Sequence, residues 1–329
     1  MAFFRAARSG EFRFMRKRSG LMIRVLAAGL VLFAASVVPI AAQEFVPLYP
    51  DGKMPNSKGL NLKEEIREER IYQVGTPGFR AYLPASSDNK RVAVLIIPGG
   101  GYVRIAYQSA RTSVAKWLNS LGIAAFALDY RLPTSPDLMQ KELAPLQDAE
   151  RAMRLIRANA KKWNIDPDKI GVMGTSAGGH AASYIATTSD DIAKIGDTAD
   201  AFSFTPNFMI LASPVITMGE FAHGGSKKYL LGETPSKEMI ERYSTELHVT
   251  EKTPPAFIFL AADDKSVNPQ NSLMFFGALL VNKVSASLHV FPQGGHSIPL
   301  KNGPGSSSEW TKLCEMWMAE MNILSLEKK

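Results

Sequence analysis

The sequence of 329 residues contains one cysteine, Cys314, and only five histidines. A single thiol closes no internal disulfide, and a chain this long buries enough core to stand without one. The histidines are scattered and form no H-E-x-x-H, so neither a metal nor an organic cofactor is expected. A surplus of acidic charge is also missing: the formal net charge is +7 and the pI is near 9.3. That balance would invite a nucleic-acid partner, but the basic excess is local. Residues 1–43 carry seven basic residues and one acid, which leaves 31 basic and 30 acidic residues in the rest of the chain. The body therefore lacks the basic stripe that tracks a phosphate backbone, and no nucleic-acid binding is expected. No long Gly/Ser/Pro linker, heptad or repeat of 20 to 50 residues interrupts residues 44–329, which read as one domain. With 46% hydrophobic and 21% charged residues, the chain is neither disordered nor collagen-like.

What is present begins with a leader. A basic stretch ends at Arg24, an uncharged apolar run covers 25–42, and Ala41 and Ala42 precede Gln43. This is the layout of a signal peptide spanning 1–43, and it implies a secreted or periplasmic protein. The 18 uncharged residues approach the lower limit for a spanning helix, so a membrane anchor is the competing reading. Pro39 and the Ala-Ala-Gln ending favour cleavage, after which no stable membrane span remains. The two separate basic clusters make the leader long, and Met15 or Met22 is an alternative start. Cys314 lies far from the leader, so a lipid-modified cysteine at the cleavage site is excluded.

Residues 44–62 read as an irregular arm. Beyond it, apolar β-branched runs alternate with helical periods, the pattern of a sheet wrapped by helices. The clearest strand is RVAVLII at 91–97, a continuous apolar run suited to a strand covered on both faces. Others are expected at 124–128, 170–174, 208–212, 256–261 and 286–291. Helical spacing covers 109–121 and 145–163. In the second helix Leu146, Ala149, Met153, Ile156 and Ala160 form the apolar face, with Arg151, Arg154 and Lys161 on the other side. Such crossovers connect parallel strands. The stretch 213–255 is too long for a loop and too polar for a core, and reads as a small helical insertion beside the substrate mouth.

Gly174-Thr175-Ser176-Ala177-Gly178 fits G-x-S-x-G, in which a serine sits on a sharp turn between strand and helix. Short patterns of this kind recur by chance, so context decides. Here an apolar strand, IGVMG, precedes the serine and a small-residue helical start, AGGHAASYIATT, follows it. Pro98-Gly99-Gly100-Gly101-Tyr102 ends the strand at 91–97. Successive glycines let a backbone approach a ligand and turn its N–H groups toward one point, as a tetrahedral oxyanion requires. No G-K-[ST] follows and the spacing is not G-x-G-x-x-G, so a phosphate cradle fits poorly. The amides of Gly100 or Gly101, with that of Ala177, are the expected oxyanion hole. A serine nucleophile needs a base, and the base an orienting carboxylate. His296 follows the last expected strand in FPQGGH, where a loop can hang it over the sheet edge. His289 lies inside that strand and reads as structural. His180, one turn past the serine, reads as packing or capping, and His223 and His248 fall in the insertion, from which they can line the site without any specific signal for it. Asp263 and Asp264 both follow the strand AFIFLAA, before a helix beginning near Pro269. Serine, acid and histidine then all stand at carboxyl ends of strands, where open α/β sheets place their sites.

With these segments together the chain resembles the α/β-hydrolase superfamily, and within it the secreted bacterial esterases similar to acetyl xylan esterases. The resemblance covers nearly all of 44–329. It is carried by PGGGY at 98–102, YRL at 130–132, PLQDAERAMRLIR at 145–157, NIDPDKIGVMGTSAGGH at 164–180, PPAFIFLAADDKSV at 254–267 and FPQGGHSI at 291–298. It implies a mostly parallel central sheet flanked by helices, Ser176 as nucleophile, His296 as base and acid, and Asp264 as the orienting carboxylate. Asp264 is preferred to Asp263 because it stands three residues before Val267 and eight before Ser272, as in the family pattern. Asp263 is then a turn residue or helix cap. Two departures stand out: Val267-Asn268-Pro269 where the family usually has Val-Pro, and Ser109-Ala110 where it often has Glu-Gly.

The expected activity is removal of small acyl groups, acetyl first, from plant-polysaccharide sugars such as xylan. Tyr102, Arg104 and Trp310 are candidates to stack on or hydrogen-bond an acylated carbohydrate. Some relatives carry an endo-xylanase name, but glycoside hydrolysis usually takes two carboxylates flanking the bond, whereas a serine elbow with an oxyanion loop belongs to acyl transfer. The alternatives are a feruloyl or general carboxylesterase with a larger acyl pocket, a serine peptidase, and a non-catalytic carbohydrate-binding protein on the same fold. No propeller-sized domain precedes the hydrolase, and no extended apolar lid stands out in 213–255, which counts against an oligopeptidase and a lipase.

Overall fold

The computed structural model describes residues 44–50, 53–106 and 112–325, so the leader lies outside the described residues. An eight-stranded sheet runs through the described chain in the order β1-β4-β7-β5-β8-β9-β10-β11. Its strands are β1 (Glu44–Pro47), β4 (Gly78–Tyr82), β5 (Ala93–Ile97), β7 (Ala124–Asp129), β8 (Ile170–Thr175), β9 (Met209–Ala212), β10 (Ala256–Ala261) and β11 (Ala286–Phe291). From β7 to β11 the neighbours are parallel, while β1 and β4 add an antiparallel edge. The sheet is thus mostly parallel and flanked by helices, as expected. The apolar runs at β5, β7, β8, β9 and β10 are buried almost throughout, because helices cover both faces. One apolar layer gathers Leu95, Phe126, Val172 and Ile258, and the opposite one gathers Val94, Ile96, Ile210 and Phe259.

The irregular arm is corrected at its start. Residues Glu44–Pro47 pair with β4, from Glu44 opposite Ala81 to Pro47 opposite Gly78. Four residues with a terminal proline give little alternation to read, and an edge position tolerates that proline. A separate three-stranded antiparallel sheet joins β2 (Glu65–Arg67), β3 (Arg70–Gln73) and β6 (Ile105–Ala106).

Crossovers between strands run through α1 (Val114–Ser120), α2 (Ala144–Ala158), α3 (Ala177–Thr187) and α6 (Gln270–Val281), and α7 (Trp310–Glu320) follows β11. Within α2, Arg151 and Arg154 are buried, contrary to the solvent-facing side expected of them. Segments distant in sequence cover that face and supply acceptors. Arg151 donates to the Leu48 carbonyl at 3.0 Å and pairs with Asp197; Arg154 donates to the Phe202 carbonyl at 3.0 Å and pairs with Asp191 at 2.7 Å. Asp148 on the same helix accepts from the Arg131 amide at 2.7 Å, from the Arg131 guanidinium and from the Tyr49 hydroxyl at 2.8 Å. Pairing and hydrogen bonding offset most of the penalty of burying these charges, although one guanidinium nitrogen of Arg154 keeps no hydrogen-bond partner.

The stretch after β9 is the expected helical insertion, with α4 (Gly224–Leu231), α5 (Lys237–Arg242) and a 3-10 turn at Thr245–His248. Asn271 of α6 pins its stem. The Asn271 carboxamide oxygen accepts from the amides of Ile216 at 2.9 Å and Thr217 at 3.1 Å, and its nitrogen donates to the Phe221 carbonyl at 2.9 Å. Among the described residues no helix is long and apolar enough to cross a membrane.

Candidate active site

The carboxyl ends of β5, β8, β10 and β11 converge on one cavity of about 1300 Å³. Ser176 occupies the turn between β8 and α3 with φ 56° and ψ −124°, a backbone conformation that costs energy for a residue bearing a Cβ. The neighbourhood fixes it. The Ser176 amide donates to the Ala212 carbonyl at 3.1 Å, and its own carbonyl accepts from Gly179 and Val215 at 2.9 Å each. Small residues make the turn possible: a Cβ on Gly178 would lie 2.1 Å from the Ile97 carbonyl oxygen.

The side chains of Ser176, His296 and Asp264 form one continuous hydrogen-bonded line. His296 Nε2 is 2.9 Å from Ser176 Oγ, and His296 Nδ1 is 2.8 Å from Asp264 Oδ2. Asp264 Oδ1 accepts from the amides of Ser266 at 2.8 Å and Val267 at 3.0 Å. Burial pushes the Asp264 carboxyl up, but the hydrogen bond from His296 and the two amides outweigh it and hold it below its ordinary value. The carboxylate therefore stays ionised and fixes the imidazole with its proton on Nδ1, leaving the Nε2 lone pair to face the serine. Asp263 has a different place: it accepts from the Gly295 amide at 2.8 Å and so ties down the loop that carries His296.

Of the expected oxyanion donors, Ala177 is the first residue of α3, where an N–H has no partner within its helix. Gly99, Gly100 and Gly101 line the cavity directly above the serine; a Cβ on Gly99 would meet Ser176 Cβ at 3.0 Å. Gly100 has φ +141°, and a Cβ there would lie 2.0 Å from the Arg104 carbonyl oxygen, so only glycine fits. The loop is held by Arg104 and Ala106, whose amides donate to the carbonyls of Gly100 and Gly99 at 3.3 and 3.0 Å. The arrangement offers an activated hydroxyl facing backbone donors across a space large enough for an ester.

The three expected substrate contacts separate. Arg104 lines the cavity. Tyr102 does not: it is fully buried, its hydroxyl 2.7 Å from His180 Nδ1, with its ring edge-on to Tyr130. Its left-handed φ of 63° turns the side chain beneath the loop, away from the ligand space. Trp310 reaches the cavity wall, but its ring stacks on Phe259 at 4.2 Å and its Nε1 donates to the Pro299 carbonyl at 2.9 Å, so it supports the wall as packing. His180 is packing, as expected. It bridges Tyr102 and the Tyr243 carbonyl, 2.7 Å away, and burial lowers it to about 4. His289 packs against Phe257, and His248 is exposed beside the Glu241 carbonyl at 3.0 Å.

Of the two insertion histidines placed within reach of the site, His223 lines the cavity. Its Nδ1 accepts from the Ser226 amide at 3.1 Å, which caps α4 and puts the ring proton on Nε2. Burial lowers its basicity, with repulsion from nearby His296 adding to the effect. A histidine just before a helix-opening Gly-Gly-Ser is a capping signal, but its distance from the serine is set by the fold alone.

A mostly parallel sheet with a serine elbow after β8, an acid after β10 and a histidine after β11 defines an α/β-hydrolase. The chain belongs to the BD-FAE family, which matches residues 80–279. It is 34% identical over 279 residues to endo-1,4-beta-xylanase B of Butyrivibrio fibrisolvens, covering 82% of this chain and 43% of that protein. It is 31% identical over 278 residues to an acetylxylan esterase of Xylanibacter ruminicola, covering 83% of this chain and 50% of that protein. The chain thus spans about half the length of these curated relatives or less. Among solved structures, the acetyl ester-xyloside bifunctional hydrolase of Caldicellulosiruptor lactoaceticus superposes with a TM-score of 0.76 at 39% identity, over 88% of this chain and 100% of that one.

Proposed function

We propose that the protein is a serine esterase that removes acetyl and other small acyl groups from plant-polysaccharide sugars such as xylan. The unbroken line from Asp264 through His296 to Ser176, opening on the glycine loop, carries this reading. The names of the relatives support it. In the first half-reaction, His296 Nε2 takes the Ser176 Oγ proton as the oxygen attacks the ester carbonyl. The carbonyl oxygen becomes an oxyanion held by the amides of Ala177 and of Gly100 or Gly101. Protonated His296, steadied by Asp264, gives its proton to the departing sugar oxygen as the C–O bond breaks. Water then attacks the acyl-serine as His296 takes one of its protons, and His296 returns that proton to Ser176 Oγ as the acyl C–O bond breaks, releasing the acid and free Ser176. No step calls for a metal or an organic cofactor. The leader at 1–43 supports a secreted or periplasmic location.

A second reading, a feruloyl or general carboxylesterase, is favoured by the apolar part of the cavity wall, where Trp117, Phe259, Ile298 and Leu300 offer room for a larger acyl group. Glycosidic cleavage in this cavity has less support: among its described lining residues the carboxylates number one, Glu315, which accepts from Trp117 Nε1 at 3.1 Å. Mature protein and a Ser176→Ala variant, assayed side by side on acetylated xylan, an acetylated monosaccharide and methyl ferulate, test the proposal. Acetate released by wild type alone supports it, ferulate release favours the second reading, and turnover that survives loss of the serine refutes the mechanism.

A further inference from the structure

Over residues 44–329 acids and bases nearly cancel, but around the cavity they do not. Among the described residues its charged lining, apart from the histidines, is Arg70, Arg104, Lys116 and Lys301 against Glu315. Arg70 spends its charge on Glu68, 3.2 Å away at the surface. Arg104, Lys116 and Lys301 have no ion-pair partner among the described residues. Arg104 is the informative one. It is half-buried, and its side chain runs along the glycine loop, with Cγ 3.2 Å from where a Gly100 Cβ would stand. With its stem packed on the loop, the unpaired guanidinium stands at the cavity wall, where an anion entering the cleft can pair with it. Lys116 and Lys301 are exposed at the rim, where charge of one sign along a low-dielectric cleft draws in oppositely charged ligands.

Resting on the esterase reading, we propose that the preferred substrate is an acyl ester on an anionic saccharide, one that carries a uronic acid near the esterified sugar. The planar guanidinium of Arg104 binds the uronate carboxylate through paired N–H donors, and Lys116 and Lys301 steer it to the mouth. The ester itself still meets Ser176 and the glycine loop. This places the specificity in charge at the cavity wall rather than in aromatic stacking, since Trp310 is committed to Phe259.

The test uses two acetylated xylo-oligosaccharides that differ only in a glucuronic acid branch, assayed with wild type, Arg104→Gln and a Lys116→Gln/Lys301→Gln double variant at low and high salt. For wild type at low salt, kcat/KM is expected to be about tenfold higher for the acidic substrate, the scale of one charged hydrogen-bonded contact. That preference is expected to shrink toward one at high salt and in both variants, chiefly through KM. A preference of one at low salt overturns the inference, as does Arg104→Gln slowing both substrates equally, which would make Arg104 a participant in the reaction rather than a reader of charge. Should Arg104→Gln fold poorly, the surface double variant and the salt dependence still decide. Absence of acetate from both substrates with wild type would overturn the esterase reading along with the inference.

Discussion

Replacing Asp264 with asparagine tests the site through a change of a few atoms whose consequence is forced by hydrogen-bond direction. Asp264 Oδ1 accepts two backbone N–H groups, from Ser266 and Val267, while Oδ2 faces His296 Nδ1 at 2.8 Å. In Asp264→Asn the carbonyl oxygen must stay with the two amides, since an NH₂ there would oppose two donors. The NH₂ then points at His296 Nδ1, and the imidazole relieves the clash only by moving its proton to Nε2. At 2.9 Å from Ser176 Oγ, that nitrogen now donates to the serine and cannot take its proton. The expected loss is about 10⁴-fold in kcat, or about 5.5 kcal/mol in the barrier, the scale for a triad locked in the wrong tautomer. The assay is acetate release from a small acetyl ester, with thermal melting to show that the fold is kept. The comparison variant is Asp263→Asn, whose carbonyl can still accept from Gly295 and which should lose less than about fivefold. An Asp264→Asn enzyme with a normal melting temperature and kcat within tenfold of wild type would refute the reasoning; so would a larger loss in Asp263→Asn.

Three further outcomes are expected. Tyr102→Phe leaves His180 Nδ1 unpaired in the core, so stability should fall by about 1 to 3 kcal/mol in denaturant unfolding with KM little changed; a raised KM at unchanged stability would return Tyr102 to the substrate. Gly100→Ala forces a Cβ against the Arg104 carbonyl and displaces the donor loop, so kcat should fall by about 10² to 10³; unaltered kcat would show that the loop holds no oxyanion. Glu150 is buried with one carboxylate oxygen unpartnered, and burial raises it to about 8 from an ordinary 4.5. Between those values the folded protein holds a proton that the unfolded chain has lost, so this contribution to stability is complete below the ordinary value and disappears as pH rises through about 8. Glu150→Gln should therefore raise the melting temperature at pH 9 and change it little at pH 4; an equal shift at both would discount the titration.

What the sequence made legible and what it hid divide along physical lines. Strands buried on both faces are written as continuous apolar runs, and residues needing a special backbone, such as Ser176 and Gly100, sit in recognisable short patterns. Edge pairing is written less clearly, which is why β1 passed for coil. The arginines of α2 obey the helical period yet turn inward, because the acceptors that make burial tolerable lie on segments tens of residues away. The place of Tyr102 is hidden for a related reason: adjacency to the glycine loop fixes its position in the chain, but the sign of one φ angle decides which side of the loop it faces. The capping hydrogen bond of His223 is local, whereas its approach to the cavity depends on how Asn271 holds the insertion.

The three aligned side chains do not share one support. Asp264 and His296 follow β10 and β11, immediate neighbours in the sheet, and Asp263 binds their two loops together. Ser176 follows β8, on the far side of β9. Asp264 and His296 therefore sit on two loops tied to each other, and Ser176 on a third, with no covalent cross-link between them. The 2.9 Å contact between His296 and Ser176 is thus the one link of the line that reaches across β9, while the histidine and its carboxylate hold each other on neighbouring loops.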